Sequence, residues 1–485
     1  MHLRELPQHV SPKLQGLSRP SRRQVLRSAT CGFGHVALLG ILNGVASATR
    51  VAGAESGAHA RLADGIHFPA RAKRVIFLFM HGGVSHLDTF DPKPKLKEMA
   101  GQPLPFDTPL QFNKVGNLLP SPWAFHRYGQ SGLPVSDLFP QVGSVIDEIC
   151  FVRSMFVEQV DHGGAILQLH TGSAVFPRPS VGAWITYGLG TDNENLPAFV
   201  TISPPMMHGA QQLFGASFLP AAYQGTAVGD YKTPMTRATI RNLQRAEPSY
   251  DLERRQLDLL QDFNRTYSAD SPIDSRLEAR IESFELAFRM QMEAPEILDV
   301  NAESDATMKL YGIDGGPTDN FGRQCLLARR LVERGVRFVQ CSHSYKWDQH
   351  SDLRNGHATN AREVDLPIAG LIKDLRQRGL LDDTLVLWGT EFGRTPVAEG
   401  ADGRDHNPYG FTMWMAGGGV KGGFAHGATD EFGYFAVENR VSMYDLHATL
   451  LHLLGIDHTR LTYRYNGRDF RLTDVHGNVV SEILA

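Results

Sequence analysis

Residues 74–94 read RVIFLFMHGGVSHLDTFDPKP, a strand pattern that stops at a group of potential metal ligands. Residues 75–80 form a continuous apolar run rich in β-branched and aromatic side chains, which is typical of a strand buried on both faces of a parallel sheet. His81 follows directly, and Asp88 and Asp91 lie a few residues further on. Because ligands of open parallel sheets bind at the carboxyl ends of the strands, this stretch predicts both a fold and the position of a site.

Further segments continue the same alternation of buried strands and amphipathic helices. Strands are predicted for VIFLFM (75–80), ICFVRS (149–154), AFVTIS (198–203), VRFVQC (336–341), TLVLWGT (384–390) and FTMWMAG (411–417). Helices are predicted for 322–334, 362–378 and 443–454. This order predicts an α/β fold with a parallel-dominated sheet sandwiched by helices. Residues 250–298 are charged with a helical apolar stripe and predict a helical insertion.

The N-terminus has the three parts of a twin-arginine export signal in the expected order. SRRQVLR (21–27) supplies adjacent arginines, residues 28–45 are uncharged, and Ala46-Ser47-Ala48 is a small-residue cleavage site. We therefore expect a periplasmic or secreted protein that is exported by the twin-arginine translocase. The predicted organisation is a signal peptide over 1–48, a linker over 49–72 and one α/β domain over 73–485.

The charge balance excludes some classes of partner. The chain has 52 acidic and 48 basic residues, and cleavage after Ala48 would leave 51 acidic and 42 basic ones. A net charge of about −9 argues against nucleic acid or an anionic membrane as a partner. The apolar part of the signal is short for a membrane span, so we expect no stable membrane insertion. Cys150, Cys325 and Cys341 would remain after cleavage. We expect no obligatory disulfide framework among them, although one disulfide bridge is compatible with a location outside the cytoplasm.

Carboxylates and imidazoles follow four of the predicted strands. Besides those after the first strand, they are Asp161, His162, His170, His343, Asp348, His350, His357, Glu391, Asp405 and His406. Oxygen and nitrogen ligands without thiolates suit zinc, manganese, calcium or magnesium. Two such groups about 4 Å apart would form a two-metal hydrolytic site. For His357, Asp352 and His426 we expect solvated surface positions, whereas His170 is equally compatible with a core position and a functional role.

Several longer motifs resemble one family. They are MHGGVSHLDTFDPKP, PRPSVGAWITYGLG, GTEFGRTP, GRDHNPYGFTMWMAGGGVKGG, TDEFGY and NGRDFRLTD. They are similar to the family catalogued as domain of unknown function 1501, from about residue 73 to the C-terminus. That family resembles a branch of the alkaline phosphatase and sulfatase superfamily, which implies a parallel sheet with two metals at its strand ends. The implied ligands are Asp348, His350 and His406 for one ion, and Glu391, Asp88 and His81 for the other.

The resemblance also implies a position for the nucleophile. In the superfamily it lies nine residues before a Thr-Gly pair, and counting back from Thr171-Gly172 gives His162, where a Ser, Thr or modifiable Cys is expected. His162 could be a histidine nucleophile, a metal ligand or a base acting on metal-bound water. Asp161 could ligate or orient it. Arg394, with Arg404, could hold the oxygens of an anionic ester.

These features predict an exported hydrolase of phosphate or sulfate esters that uses divalent metal ions. Its substrate would be a small molecule or a carbohydrate ester. The alternative is a metal-containing binding protein of the same fold without turnover, which the histidine in the nucleophile position favours. A metal-dependent phosphomutase would share the superfamily core but fits poorly with an export signal.

Overall fold

The computed structural model describes five stretches of the chain. They are residues 66–109, 116–241, 243, 250–269 and 275–485. The expected signal peptide and residues 49–65 of the expected linker lie outside the described residues.

A nine-stranded sheet forms the centre of the domain. Its strands are β1 (Arg74–Met80), β2 (Ile149–Phe156), β3 (Phe199–Ile202), β4 (Thr226–Val228), β5 (Phe338–His343), β6 (Thr384–Gly389), β7 (Phe411–Ala416), β8 (Phe424–His426) and β9 (Val441–Ser442). Their order is β8-β2-β7-β6-β1-β5-β3-β4, and β9 pairs with β2. Among these strands, only β7 runs opposite to the other eight, and it pairs antiparallel with both β2 and β6. The chain leaves the carboxyl end of β6 and begins β7 at the same end of the sheet, without a crossover helix between them. β7 must therefore run in the opposite direction.

Helices cover both faces of this sheet. Those of nine or more residues are α1 (His162–Thr171), α2 (Val181–Leu189), α3 (Tyr250–Ala269), α4 (Ser275–Leu298), α5 (Asp319–Glu333), α6 (Leu353–Gln377) and α7 (Met443–Leu453). Alternate residues of β1 enter two separate cores: Leu78 packs with α5 and α6, and Phe79 packs with α1, α2 and α7. The predicted α/β fold, a parallel-dominated sheet sandwiched by helices, is confirmed.

Smaller elements complete the fold. Two-stranded hairpins pair Phe125–Tyr128 with Leu133–Ser136, Gly393–Arg394 with His406–Asn407, Ala428–Thr429 with Ala436–Glu438, and Tyr463–Tyr465 with Arg468–Phe470. Short α-helices lie at His86–Thr89, Pro94–Glu98, Pro140–Gly143 and Asp305–Leu310. Single 3-10 turns lie at Ile146–Glu148, Ala210–Leu213, Ala221–Tyr223, Val300–Ala302, Leu381–Asp383 and Ser481–Ile483.

The helical insertion corresponds to α3 and α4. Arg254 of α3 forms an ion pair with Glu285 of α4 at 2.9 Å, and Leu257, Phe284 and Phe288 form a small apolar cluster of their own. Among the described helices, none combines the length and apolar character that a membrane span requires.

Candidate metal centre

Four side chains from different parts of the chain converge beyond the carboxyl ends of the strands. His162 is the first residue of α1, which follows β2. Asp348 and His350 lie in the loop after β5, and His406 lies in the short hairpin where it pairs with Arg394. One ligand atom from each of His162, Asp348, His350 and His406 lies within 4.8 Å of the other three. The parallel sheet thus brings together residues that are far apart in sequence.

The Asp348 carboxylate is the centre of this group. Its Oδ1 atom lies 3.0 Å from His350 Nε2, 3.2 Å from His162 Nε2 and 3.4 Å from His406 Nε2. The Nε2 atoms of His350 and His406 are 3.0 Å apart. His162 Nε2 is buried and makes no aligned hydrogen bond within the described part of the chain. Three imidazole nitrogens and one carboxylate oxygen in this arrangement fit a single divalent ion.

The second ring nitrogen of each histidine is held by an oxygen acceptor. His162 Nδ1 lies 2.6 Å from Glu391 Oε1, and His406 Nδ1 lies 2.7 Å from the carbonyl oxygen of Val160. His350 Nδ1 contacts the Glu399 carboxylate. A carbonyl or ionised carboxylate can only accept, so each Nδ1 has a proton, and each imidazole in its neutral form presents the Nε2 lone pair to the cluster. Metal-binding histidines are oriented in this way.

Glu391 is fixed behind His162 rather than beside Asp348. Its carboxylate accepts from the backbone N–H of Gly82 at 2.9 and 3.2 Å and from the Thr390 hydroxyl at 3.0 Å. Burial alone would raise the pKa of Glu391, but the contact with His162 lowers it to about 2. Gly82 has φ of +124°, and a Cβ there would lie 2.8 Å from the backbone nitrogens of Trp347 and Asp348. The glycine after His81 is therefore required by this close approach.

The contacts of Arg394 differ from those expected of a residue that holds an anionic ester. Its buried guanidinium donates to the Asp348 carboxylate at 2.6 Å and to the backbone oxygens of Gly82, Gly83, Trp347 and Arg404. The side chain is fully buried and is not among the residues that line the cavity described below. Arg394 is therefore placed as a positioning residue for Asp348 and not, as predicted, as a ligand of an anionic ester. Burial would raise the pKa of Asp348, but hydrogen bonds from His162, His350 and His406, together with the Arg394 charge, hold it well below its usual range.

Asp88 and Arg404 form a separate buried ion pair. Arg404 Nε donates to Asp88 Oδ2 at 2.8 Å, both side chains are fully buried, and Ser85 donates to the same carboxylate. The remaining Arg404 donors reach the carbonyl oxygens of Thr395 and Leu119. Asp88 is thus not placed as a metal ligand, contrary to the prediction, because Arg404 already neutralises its charge. Arg404 is equally unavailable to a substrate.

Two further predicted site residues have other partners. Asp161 is the N-cap of α1 and accepts from the Gly164 N–H at 2.9 Å, so Glu391, not Asp161, orients His162. His81 Nε2 lies 3.1 Å from His208 Nδ1, and burial lowers the pKa of His81 to about 4. The second set of ligands predicted at Glu391, Asp88 and His81 therefore does not converge among the described residues.

The predicted solvated surface positions of Asp352, His357 and His426 are only partly right. Asp352 is exposed as expected, but His357 and His426 are buried. His357 Nε2 accepts from the Ser85 N–H at 3.1 Å, which is a structural role. His170 is buried and its Nδ1 contacts the carbonyl of Ile166 one helical turn earlier, as a core histidine would. The three described cysteines are buried and unpaired.

Sequence reasoning missed three residues near the cluster. His208 follows β3, so the strand-end rule that found the others could also have found it. Tyr345 donates to Asp348 Oδ2 at 3.0 Å, and Glu399 contacts His350 from a distant loop. No spacing in the sequence indicates the role of Glu399.

A cavity of about 460 Å³ opens onto the cluster. It is lined by Asp161, His162, Gly163, His208, His350, Asp405 and His406. On the inner side, the Phe392 ring lies 4.8 Å from the His162 ring and 4.4 Å from the His406 ring. One side of the cluster is thus apolar and closed, and the other is open to a small ligand.

Comparison with known families gives one match that spans the domain. The family model described as "Protein of unknown function (DUF1501)" matches residues 72–484. A comparison with curated proteins gave no match.

Solved structures with a similar fold include three bacterial proteins. The lipoteichoic acid synthase LtaP from Listeria monocytogenes is 10% identical, with 84% of this chain and 76% of that chain covered and a TM-score of 0.34. The PsFucS1 sulfatase from Pseudoalteromonas sp. is 11% identical, with 80% and 68% covered and a TM-score of 0.35. Alkaline phosphatase from the Antarctic bacterium TAB5 is 8% identical, with 73% and 94% covered and a TM-score of 0.29.

Proposed function

The chain belongs to the DUF1501 family, and we propose that it is a metal-dependent hydrolase of phosphate or sulfate esters that works outside the cytoplasm. The observation that carries this proposal is the convergence of three histidine Nε2 atoms and one Asp348 oxygen within 4.8 Å. The ester class comes from the sequence motifs that resemble the alkaline phosphatase and sulfatase superfamily, and the location comes from the N-terminal export pattern.

The donor set supports one divalent ion held by His162, Asp348, His350 and His406. Nitrogen and oxygen donors without a thiolate suit zinc or manganese. Such an ion would polarise an ester oxygen and lower the pKa of a water molecule next to it. In this proposal His162 is a metal ligand and not a nucleophile, because Glu391 holds its Nδ1 and its Nε2 lies 3.2 Å from the Asp348 carboxylate at the centre of the cluster.

The surrounding residues position the ligands. Glu391 keeps the Nε2 atom of His162 directed at the cluster, and Arg394 fixes the Asp348 carboxylate. Phe392 excludes water from the inner side of the histidines. The cavity on the other side lets a small ester approach the same point, which supplies the proximity that a hydrolytic step needs.

A specific observation also favours a second function, metal binding without turnover. No lysine or arginine is among the described residues that line the cavity, and Arg394 and Arg404 are fully buried and paired with Asp348 and Asp88. A site without a cation beside the metal has less stabilisation for an anionic transition state.

A screen of metal-loaded protein distinguishes the two functions. Aryl phosphate monoesters, aryl phosphate diesters and aryl sulfates would be tested with and without chelator, and His406→Ala would serve as the metal-site variant. We expect chelator-sensitive turnover of at least one ester class by the wild type and loss of turnover in the variant. Full metal occupancy with no turnover across the panel would favour the binding protein.

A further inference from the structure

We propose that the cavity selects esters with a single negative charge, namely sulfate monoesters or phosphate diesters, over dianionic phosphate monoesters. This inference rests on the proposed function, since it concerns the same metal-centred cavity. It follows from the distribution of charged side chains around the cluster.

Apart from its histidines, the cavity wall has only acidic charged groups among the described residues. Asp161 and Asp405 line it, together with the glycine and histidine residues of the site. Asp161 is exposed at the N-terminus of α1, so its charge faces the solvent-filled side of the cavity. Asp405 is largely buried, and its Oδ1 accepts from the backbone N–H of His406 at 2.7 Å.

The neighbouring cations are already neutralised. Arg394 is paired with Asp348, and Arg404 is paired with Asp88. Lys346, in the loop before Asp348, is paired with Glu363. None of these three groups is free to compensate a charge on a bound ligand.

A divalent ion would not reverse this balance. Glu391 and Glu399 contact the outer ring nitrogens of His162 and His350, and Asp161 and Asp405 line the cavity, so the site has four carboxylates besides Asp348, whose charge is offset by Arg394. Four negative charges exceed the two positive charges of the metal. Each additional charge on the ligand is therefore less favourable than in a site with free arginines.

The direct test measures binding to the zinc-loaded full-length protein by calorimetry at pH 8 and low salt. The probes are methyl sulfate and dimethyl phosphate, both monoanions, and methyl phosphate, which is a dianion at this pH because its second pKa is about 6. We expect each monoanion to bind roughly tenfold more tightly than methyl phosphate. Equal or tighter binding of methyl phosphate overturns the proposal, and so does a lack of binding of all three probes. The relative affinities of methyl sulfate and dimethyl phosphate show whether sulfate monoesters or phosphate diesters are the preferred ligands.

Asp161→Asn is the matched variant, because asparagine is an equally good N-cap and only the charge is lost. We expect it to reduce the preference for monoanions by roughly threefold, with unchanged zinc content. Asp405→Asn provides a second carboxylate change if the first alters folding. Asp382→Asn, an exposed position in the turn at the amino end of β6 and so at the end of the strand opposite the site, should leave the preference unchanged. An unchanged preference in both cavity variants contradicts the proposal.

Binding and turnover can fail separately. If the protein prefers monoanions but hydrolyses no ester, the selection of monoanionic ligands is supported and the proposed hydrolase function is contradicted. Turnover of phosphate monoesters at rates equal to those of sulfates and diesters keeps the hydrolase function and removes the charge selection.

Discussion

The Nε2 atoms of His350 and His406 lie 3.0 Å apart, although 56 residues separate them in the sequence. The Nδ1 atom of His406 faces the carbonyl of Val160, and that of His350 faces Glu399. Both Nδ1 atoms therefore donate, and both Nε2 lone pairs point into the same small volume. Two lone pairs at this distance repel each other unless a cation, either a proton or a metal ion, lies between them.

Metal affinity is expected to rise steeply with pH. Burial alone would lower the pKa of His162, but the Asp348 and Glu391 carboxylates raise it to about 9, and the pKa of His350 is also raised. His162 is therefore protonated in the metal-free protein at neutral pH, and an incoming ion must displace that proton. Zinc competition with a chelator from pH 6 to pH 9, corrected for the chelator's own protonation, should show tighter binding at each step. A pH-independent affinity would contradict this account.

Glu391→Gln tests whether the carboxylate behind His162 contributes to metal binding. Glutamine keeps the shape and can accept from His162 Nδ1, but it lacks the charge that makes the imidazole a stronger ligand. Loss of an outer partner of this kind typically weakens metal binding 10- to 100-fold, and we expect a change in this range. The matched control is Glu363→Gln, which removes a carboxylate that also contacts a buried histidine, His343, outside the cluster. Equal metal affinity in the two variants would rule out the role assigned to Glu391.

Asp88→Asn tests the assignment of Asp88 to a structural ion pair. The change leaves Arg404 buried without its carboxylate, and breaking a buried pair in this way typically costs about 3–5 kcal/mol of unfolding free energy. Denaturant titration should show this loss, while metal content per folded chain stays at the wild-type level. The double variant Asp88→Leu with Arg404→Met should recover part of the stability. A folded Asp88→Asn protein without metal would restore Asp88 as a ligand.

The central sheet could be predicted from the sequence because its strands are buried on both faces. Val75 to Met80 form a continuous apolar run for this reason, and alternate side chains enter the two cores. The antiparallel direction of β7 is not visible in its own residues, since FTMWMA is as apolar as a buried parallel strand. Its direction depends on the connection that precedes it.

The candidate site could be predicted in part. The strand-end rule found Asp348, His350 and His406, which do converge. It could not separate ligands from their supporting partners, because a carboxylate such as Asp88 has the same spacing whether it faces a metal or an arginine. That distinction depends on the side chain of Arg404, which is 316 residues away in the sequence.

His162 is a second case in which the sequence predicts that a residue belongs to the site but not what its role is. Its position before the Thr171-Gly172 pair placed it in the site, but three roles remained open. The contacts with Glu391 and Asp348, which support the ligand role, arise only when α1 packs against the loops after β5 and β6.

The most direct test of the central claim is the metal content of purified protein, measured by mass spectrometry of the elements after removal of loosely bound ions. Single alanine variants of His162, Asp348, His350 and His406 would be compared with the wild type and with His126→Ala, an exposed histidine paired with Asp137. We predict about one zinc or manganese ion per chain in the wild type and in His126→Ala, and a large loss in each of the other four. Full occupancy in the four variants, or a wild-type protein that takes up no divalent metal, would contradict the account.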